Sequence, residues 1–223
     1  MSVSDEAVPV PAKRAPSKDD IALLPPFESL PLSRIAVPVS AEECARAFDA
    51  LVAEPVVGFD TESRPTFAKG EQSDGPHVVQ FATRDAAWVF QLHHPACRAT
   101  AIAIIASERV VKAGFGLRSD RAFIRARLGV EIARVLDLND VFRAEGYRGT
   151  VGVKSAIAIL FGRRFSKSKK QTTSNWSLPR LNDQQILYAA NDAWAALQVL
   201  LALDRPLDAL PIDRPEPVIQ RTA

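Results

Sequence analysis

The chain predicts an α/β fold: a mixed sheet, an antiparallel meander continued by parallel strands, flanked by helices. Three observations carry that reading. Hydrophobic residues make up 47% of 223 positions, enough for one substantial core. Three β-rich runs, 56–62, 78–81 and 87–90, follow one another with turn residues between them, as a meander requires. Beyond them, strand-like runs near 110–115 and 134–138 alternate with helical periodicity, the pattern of parallel strands joined by helices.

Taken in order, residues 1–32 are rich in Pro, Ala, Lys and Asp and lack sustained periodicity, so they read as a flexible N-terminal arm with one apolar patch, Ile21-Ala22-Leu23-Leu24, able to dock. Residues 33–203 read as one domain. Ser40 caps a helix over 41–53, with Glu43 completing a capping box and Pro55 beyond its end. The meander follows, with Thr83-Arg84-Asp85 turning its second strand into its third. A helix near 96–107 leads to the strand at 110–115, and a helix over 119–128 is closed by Gly129. After the strand at 134–138 the chain is helical, broken by a basic loop at 163–175. The last helix covers 183–203, capped by Asn182 or Asp183. Residues 204–223, with prolines at 206, 211, 215 and 217, form a Pro-rich C-terminal tail.

Composition narrows the setting. A net charge of +2 does not by itself point to a nucleic-acid partner; basic residues would have to cluster. The N-terminus has neither a basic start nor an apolar core of a secretory signal, and no apolar run approaches the ~20 residues of a membrane span. Cys44 and Cys97 stand alone and are expected as reduced thiols. The expectation is a cytoplasmic protein with no membrane contact.

Two local spacings place acidic groups together. Residues two apart on a strand share a face, so Asp60 and Glu62 point the same way, roughly 6–7 Å apart. Residues four apart on a helix are neighbours, so Tyr188 and Asp192 put a hydroxyl and a carboxylate on one side. Asp120 lies where a strand gives way to a helix, a usual place for site residues in α/β folds, though an aspartate there is equally an ordinary helix cap. Asp137 and Asp140 lie near another strand end.

Together, Phe59-Asp60-Thr61-Glu62-Ser63-Arg64-Pro65, Asp120 after Gly114-Phe115-Gly116, Ser174-Asn175-Trp176 and Leu187-Tyr188-Ala189-Ala190-Asn191-Asp192 resemble the motifs of the DEDD superfamily of 3′–5′ exonucleases. The match is to its tyrosine-bearing subgroup and nearest the Werner-type branch, from about residue 56 to 201. The resemblance implies a ribonuclease H-like fold. It also implies hydrolysis of DNA or RNA from the 3′ end to nucleoside 5′-monophosphates, with two Mg²⁺ or Mn²⁺ ions as cofactors. Asp60 would bridge both ions, Glu62 and Asp192 would complete the first, Asp120 would hold the second, and Tyr188 would orient the attacking water.

Four carboxylates drawn together are tolerable only with cations or raised pKa values; at about 4 Å and a dielectric near 20 each like pair costs roughly 4 kcal/mol. Oxygen ligands favour Mg²⁺ or Mn²⁺ over zinc. Expected partners are single-stranded or 3′-recessed DNA or RNA, with a protein partner supplying substrate as a further option. Thr61, Arg64, Phe67, Lys69, Leu117, Phe123, Lys169, Lys170 and Trp176 are the candidate substrate contacts, with Arg163, Arg164 and Lys167 completing a basic cluster. Trp176 reads either as a stacking platform or as a pin for the basic loop. Two departures stand out: Ala122 where Werner-type domains often carry an aromatic, and Thr172-Thr173 where a basic residue is expected. A short-oligonucleotide or dinucleotide hydrolase and a non-catalytic nucleic-acid-binding protein of the same fold are the alternatives.

Overall fold

A computed structural model describes residues 12–66 and 73–213. Its helices are α1 (Lys18–Leu23), α2 (Ala41–Val52), α3 (Pro95–Ala106), α4 (Leu117–Leu128), α5 (Leu138–Ala144), α6 (Val153–Phe161), α7 (Lys169–Thr172) and α8 (Asp183–Ala202). Its strands are β1 (Ile35–Ala36), β2 (Val56–Glu62), β3 (Val78–Ala82), β4 (Ala87–Gln91), β5 (Val111–Gly114) and β6 (Val135–Asp137). They form a six-stranded sheet in the order β1-β4-β3-β2-β5-β6. The meander pairs antiparallel, Asp60 opposite Gln80 and Phe81 opposite Trp88, while β5 and β6 continue from β2 in parallel. The mixed sheet is the expected one, except that β1, too short to signal itself, adds a parallel edge to β4.

Local chemistry sets the helix ends. Ser40 accepts from the Glu43 amide and Glu43 from the Ser40 amide, closing the expected capping box. Asn182, rather than Asp183, makes the same reciprocal pair with Gln185 at the start of α8. Gly116, in the left-handed region with φ 76°, starts α4.

Alternation along β2 splits the core in two. Phe59 and Val57 join Phe81, Phe90, Leu51, Ile104 and Ile124 under α2, α3 and α4. The other face meets α8, whose Ala189, Ala190 and Ala193 lie buried against Val78, Ala82 and Val89. Small residues let α8 come close. A Cβ on Gly58 would stand 2.0 Å from the Ala193 carbonyl oxygen, so glycine is required where helix and strand cross. Gly114 allows a second close passage, with the Phe59 carbonyl 2.4 Å from where its Cβ would be. Cys44 and Cys97 are free, buried thiols with their sulfurs 3.4 Å apart.

Within the segment read as an arm, residues 12–32 lie against the domain. Ile21 is buried in α1, while Leu23 is not. Arg164 donates to the Ala22 carbonyl at 2.7 Å, and the buried Asn191 amide both accepts from Leu30 N (2.7 Å) and donates to Leu30 O (3.2 Å). These partners are more than 130 positions away, so no local pattern reveals them.

Lys112 is fully buried on β5, where its ammonium donates to the Ser107 and Val110 carbonyls at 2.6 and 2.9 Å. Burial, then nearby Arg134, lowers its pKa to about 7, against the pull of Glu108. A folded pKa below the unfolded one means that the charged lysine costs stability up to the folded pKa of about 7. That cost is relieved as pH climbs toward the unfolded value. Wild type is therefore expected to gain stability relative to Lys112→Met as pH rises from about 7 to about 10. Urea melts at stepped pH check this; a constant difference contradicts it.

Candidate active site

The site gathers where β2 meets α8. Because α8 crosses β2 with Ala193 over Gly58, the adjacent Asp192 is brought to Asp60 and Glu62. One carboxylate oxygen from each of these three lies within 4.8 Å of the others. Asp120, in the first turn of α4, falls outside that set but faces it closely enough for Asp60 to raise its pKa. Its alternative reading as a helix cap is not realised, because Gly116 occupies that position.

The aspartate at 137 does the anchoring instead. Its carboxylate accepts from Gly116 N (3.2 Å), Arg118 N (3.3 Å) and Asn139 N (3.0 Å), tying the start of α4 to the end of β6. Asp137 thus holds the turn that presents Asp120.

Electrostatics follow from crowding and burial. Burial raises the Asp60 carboxyl, against the pull of Lys167 and the Thr61 amide. Burial, then Asp60 and Asp192, pushes Glu62 up to about 9. Burial pushes Asp120 and Asp192 each up to about 7. Acids held this way want protons or cations. The donor set is all carboxylate oxygen, and Asp192 Oδ2, buried, already holds a cation, the Lys167 ammonium at 2.6 Å. Both features fit a hard divalent ion.

Tyr188 is pushed up to about 12, first by burial and then by Asp192. Its hydroxyl shares a 3.1 Å hydrogen bond with Thr172 Oγ1, and its ring packs 5.8 Å from Trp176. The residue that departs from the family's basic pattern is therefore the partner that fixes the tyrosine hydroxyl. Thr172→Val is expected to lower turnover roughly five-fold with little change in KM, and Thr172→Ser to restore it. Steady-state kinetics decide; a valine variant as active as wild type contradicts the role.

The candidate substrate contacts divide. Thr61 lies at the site, its amide bonded to Asp60 at 2.9 Å. Phe123 is half-buried under the Arg127 guanidinium, and Lys169 and Lys170 are exposed on α7. Arg64 is paired with Asp74 at 3.3 Å. Phe67 and Lys69 lie outside the described residues. One expectation is corrected: Leu117 is 0% exposed, its side chain turned into the core under α4. Of the two readings of Trp176, the pin is the one its burial fits, since it is 1% exposed beneath Tyr188. Neither offers a surface to a base. The basic cluster also splits, with Arg164 committed to Ala22 and Lys167 turned inward to Asp192 at 2.6 Å.

Two site residues escaped the sequence reading. Lys167 reads from the sequence as one of a basic cluster for phosphate contact or a solvated loop, not as a partner of the carboxylates. Gln80, directly opposite Asp60 on β3, is fully buried with both amide atoms unpartnered. Its signal was available: a lone polar residue inside Val78-Val79-Gln80-Phe81. A cleft of about 220 Å³ opens beside Tyr188 and Asp192, lined by Ser29, Ser166, Ser168, Gln171 and Gln184.

A ribonuclease H-like sheet with carboxylates on a central strand and a tyrosine and an aspartate on the helix that crosses it defines a class, and comparison with known proteins gives the family. Residues 37–208 match the 3′–5′ exonuclease family model, and the chain belongs to that family. It is 29% identical over 157 residues to a 3′–5′ exonuclease of Arabidopsis thaliana, covering 69% of this chain and 54% of that protein. It is 26% identical over 144 residues to the bifunctional 3′–5′ exonuclease/ATP-dependent helicase WRN of Mus musculus, covering 64% of this chain and 10% of that protein. The chain thus spans about half the length of the first relative and a tenth of the second.

Among solved structures, Trypanosoma brucei RNase D superposes with a TM-score of 0.69 at 20% identity, over 80% of this chain and 67% of that one. The Aedes aegypti Nibbler EXO domain gives 0.66 at 19% identity, over 80% and 91%. These two establish the fold. Among the described residues, no helix is long and apolar enough to cross a membrane.

Proposed function

We propose that the chain is a divalent-metal-dependent 3′–5′ exonuclease acting on single-stranded or 3′-recessed DNA or RNA. The observation that carries this reading is the convergence of Asp60, Glu62 and Asp192 within 4.8 Å, with Tyr188 one helical turn before Asp192. Family membership supports the activity, and a structural neighbour, Trypanosoma brucei RNase D, has been solved in complex with RNA U12.

Asp60, Glu62 and Asp192 would hold one Mg²⁺ or Mn²⁺ ion, and Asp60 with Asp120 a second. Ions held there supply Lewis acidity to the phosphodiester and counter-charge to the departing 3′ oxygen. Hydrolysis adds water at the terminal phosphorus and breaks its bond to the preceding O3′. A nucleoside 5′-monophosphate leaves, and a new 3′-hydroxyl remains. With its pKa near 12, Tyr188 stays protonated at neutral pH, so its hydroxyl positions the water rather than taking its proton. The backbone of the strand has a route away from the site. A groove of about 910 Å³ is lined by Lys170, Arg180, Thr173 and Asn182 and shares Gln171 with the cleft beside Tyr188. Lysine and arginine there give sequence-blind phosphate contacts whose strength falls with salt.

The test is digestion of matched 5′-labelled DNA and RNA oligonucleotides, side by side, with Mn²⁺, with Mg²⁺ and with EDTA. A ladder shortening from the 3′ end only when metal is present supports the proposal, and the faster polymer assigns the substrate. Salt-dependent binding with no shortening of any substrate would contradict it. Turnover confined to dinucleotides would replace it with the short-oligonucleotide reading.

A further inference from the structure

We propose that Lys167 is a tethered cation that competes with divalent metal for the carboxylate set, and so sets the metal concentration at which the site loads. The proposal rests on reading those carboxylates as a metal centre. Its basis is where the ammonium lies. Lys167 Nζ is 2.6 Å from Asp192 Oδ2 and 5.4 Å from the centre of the Tyr188 ring. It is also close enough to bear on the charges of Asp60 and Glu62. It therefore faces the same three carboxylates whose oxygens converge within 4.8 Å. The Asp192 side chain is 3% exposed, and Oδ2 has no directed hydrogen bond from any other group.

An ammonium at that distance and a divalent ion on the same oxygen repel, so one must leave for the other to bind. Lysine is suited to leaving. Its charge sits on a flexible four-carbon stem. Its side chain is 25% exposed, and its neighbours Ser166 and Ser168 are exposed, so the exchange needs only a change of rotamer. When no ion is bound, Lys167 offsets part of the cost of burying like charges together. The same contact raises the concentration of ion needed to load the site. The sequence pattern does not reveal this, since Lys167 sits in Arg163-Arg164-Phe165-Ser166-Lys167-Ser168-Lys169-Lys170, which reads as a phosphate-contact cluster or a solvated loop.

The experiment is calorimetric titration of Mn²⁺ into the full-length chain and its Lys167→Met, Lys167→Gln and Lys167→Arg variants at one pH, with melting temperatures in EDTA and in Mn²⁺. The methionine and glutamine variants are expected to bind Mn²⁺ roughly tenfold tighter than wild type, and the arginine variant no tighter. In EDTA the methionine and glutamine variants should melt below wild type, and Mn²⁺ should raise their melting temperatures more than it raises that of wild type. If wild type binds Mn²⁺ and both neutral variants bind equally or more weakly, the competition is overturned and the metal centre stands. If wild type binds no Mn²⁺, the metal-centre reading falls and this proposal with it.

Discussion

Asp60→Asn is expected to reduce 3′-end hydrolysis on the order of 10³-fold or more while leaving the protein at least as stable as wild type. The two halves of that expectation have one cause. Asp60 lies in β2 facing α8, half-buried beside Glu62 and Asp192, and loss of solvent there raises its carboxyl pKa. A charge held there is costly to the fold and useful only to a cation. Asparagine keeps the volume, and its Oδ1 can still accept the Thr61 amide now bonded at 2.9 Å. It removes the charge that draws metal. Asp49→Asn, on the exposed face of α2, is the control and should leave turnover unchanged. Single-turnover kinetics and thermal melts give both numbers. A variant that retains more than about a tenth of wild-type activity would remove Asp60 from the centre of the account.

Gly58→Ala should damage stability and turnover together. The added Cβ would meet the Ala193 carbonyl oxygen at 2.0 Å and its carbon at 2.8 Å, with Leu197 Cβ at 3.1 Å. Two of these are backbone atoms of α8, so no rotamer change relieves the clash and the helix must move. Overpacking of this kind costs about 3 kcal/mol. Because α8 carries Tyr188 and Asp192, a shift approaching 1 Å is expected to cost roughly 100-fold in turnover. Adding Ala193→Gly will not rescue the variant, since the contact is with the carbonyl and not the methyl. Denaturant melts and kinetics of the single and double variants check this. Wild-type stability in Gly58→Ala would show that the crossing of helix and strand has slack.

Much of this arrangement was legible where chemistry is local. The pairing of Ser40 with Glu43 gave the start of α2, and alternation through Val56-Val57-Gly58-Phe59-Asp60 gave the strand and its polar face. Period-two and period-four spacing put Asp60 with Glu62 and Tyr188 with Asp192 correctly on their own elements. What joins those pairs is the crossing at Gly58, a three-dimensional event that only the family pattern anticipated.

The failures share a cause. Leu117 is chemically able to meet a base, but its side chain turns inward, and direction at a loop–helix junction is not written in residue type. Lys167 reads as a phosphate contact or a solvated charge because its partner Asp192 is 25 positions away, on α8, while Lys167 itself lies in a loop. The docking expected of Ile21-Ala22-Leu23-Leu24, which extends to Leu30, has partners, Arg164 and Asn191, that lie far along the chain, so no local pattern names them.

Titration of Mn²⁺ into wild type and into the Asp60→Asn/Glu62→Gln double variant tests the metal centre most directly. Wild type should bind about two ions per chain, and the double variant should lose both while remaining folded. Equal stoichiometry and affinity in the two proteins would mean that these carboxylates do not hold the metal.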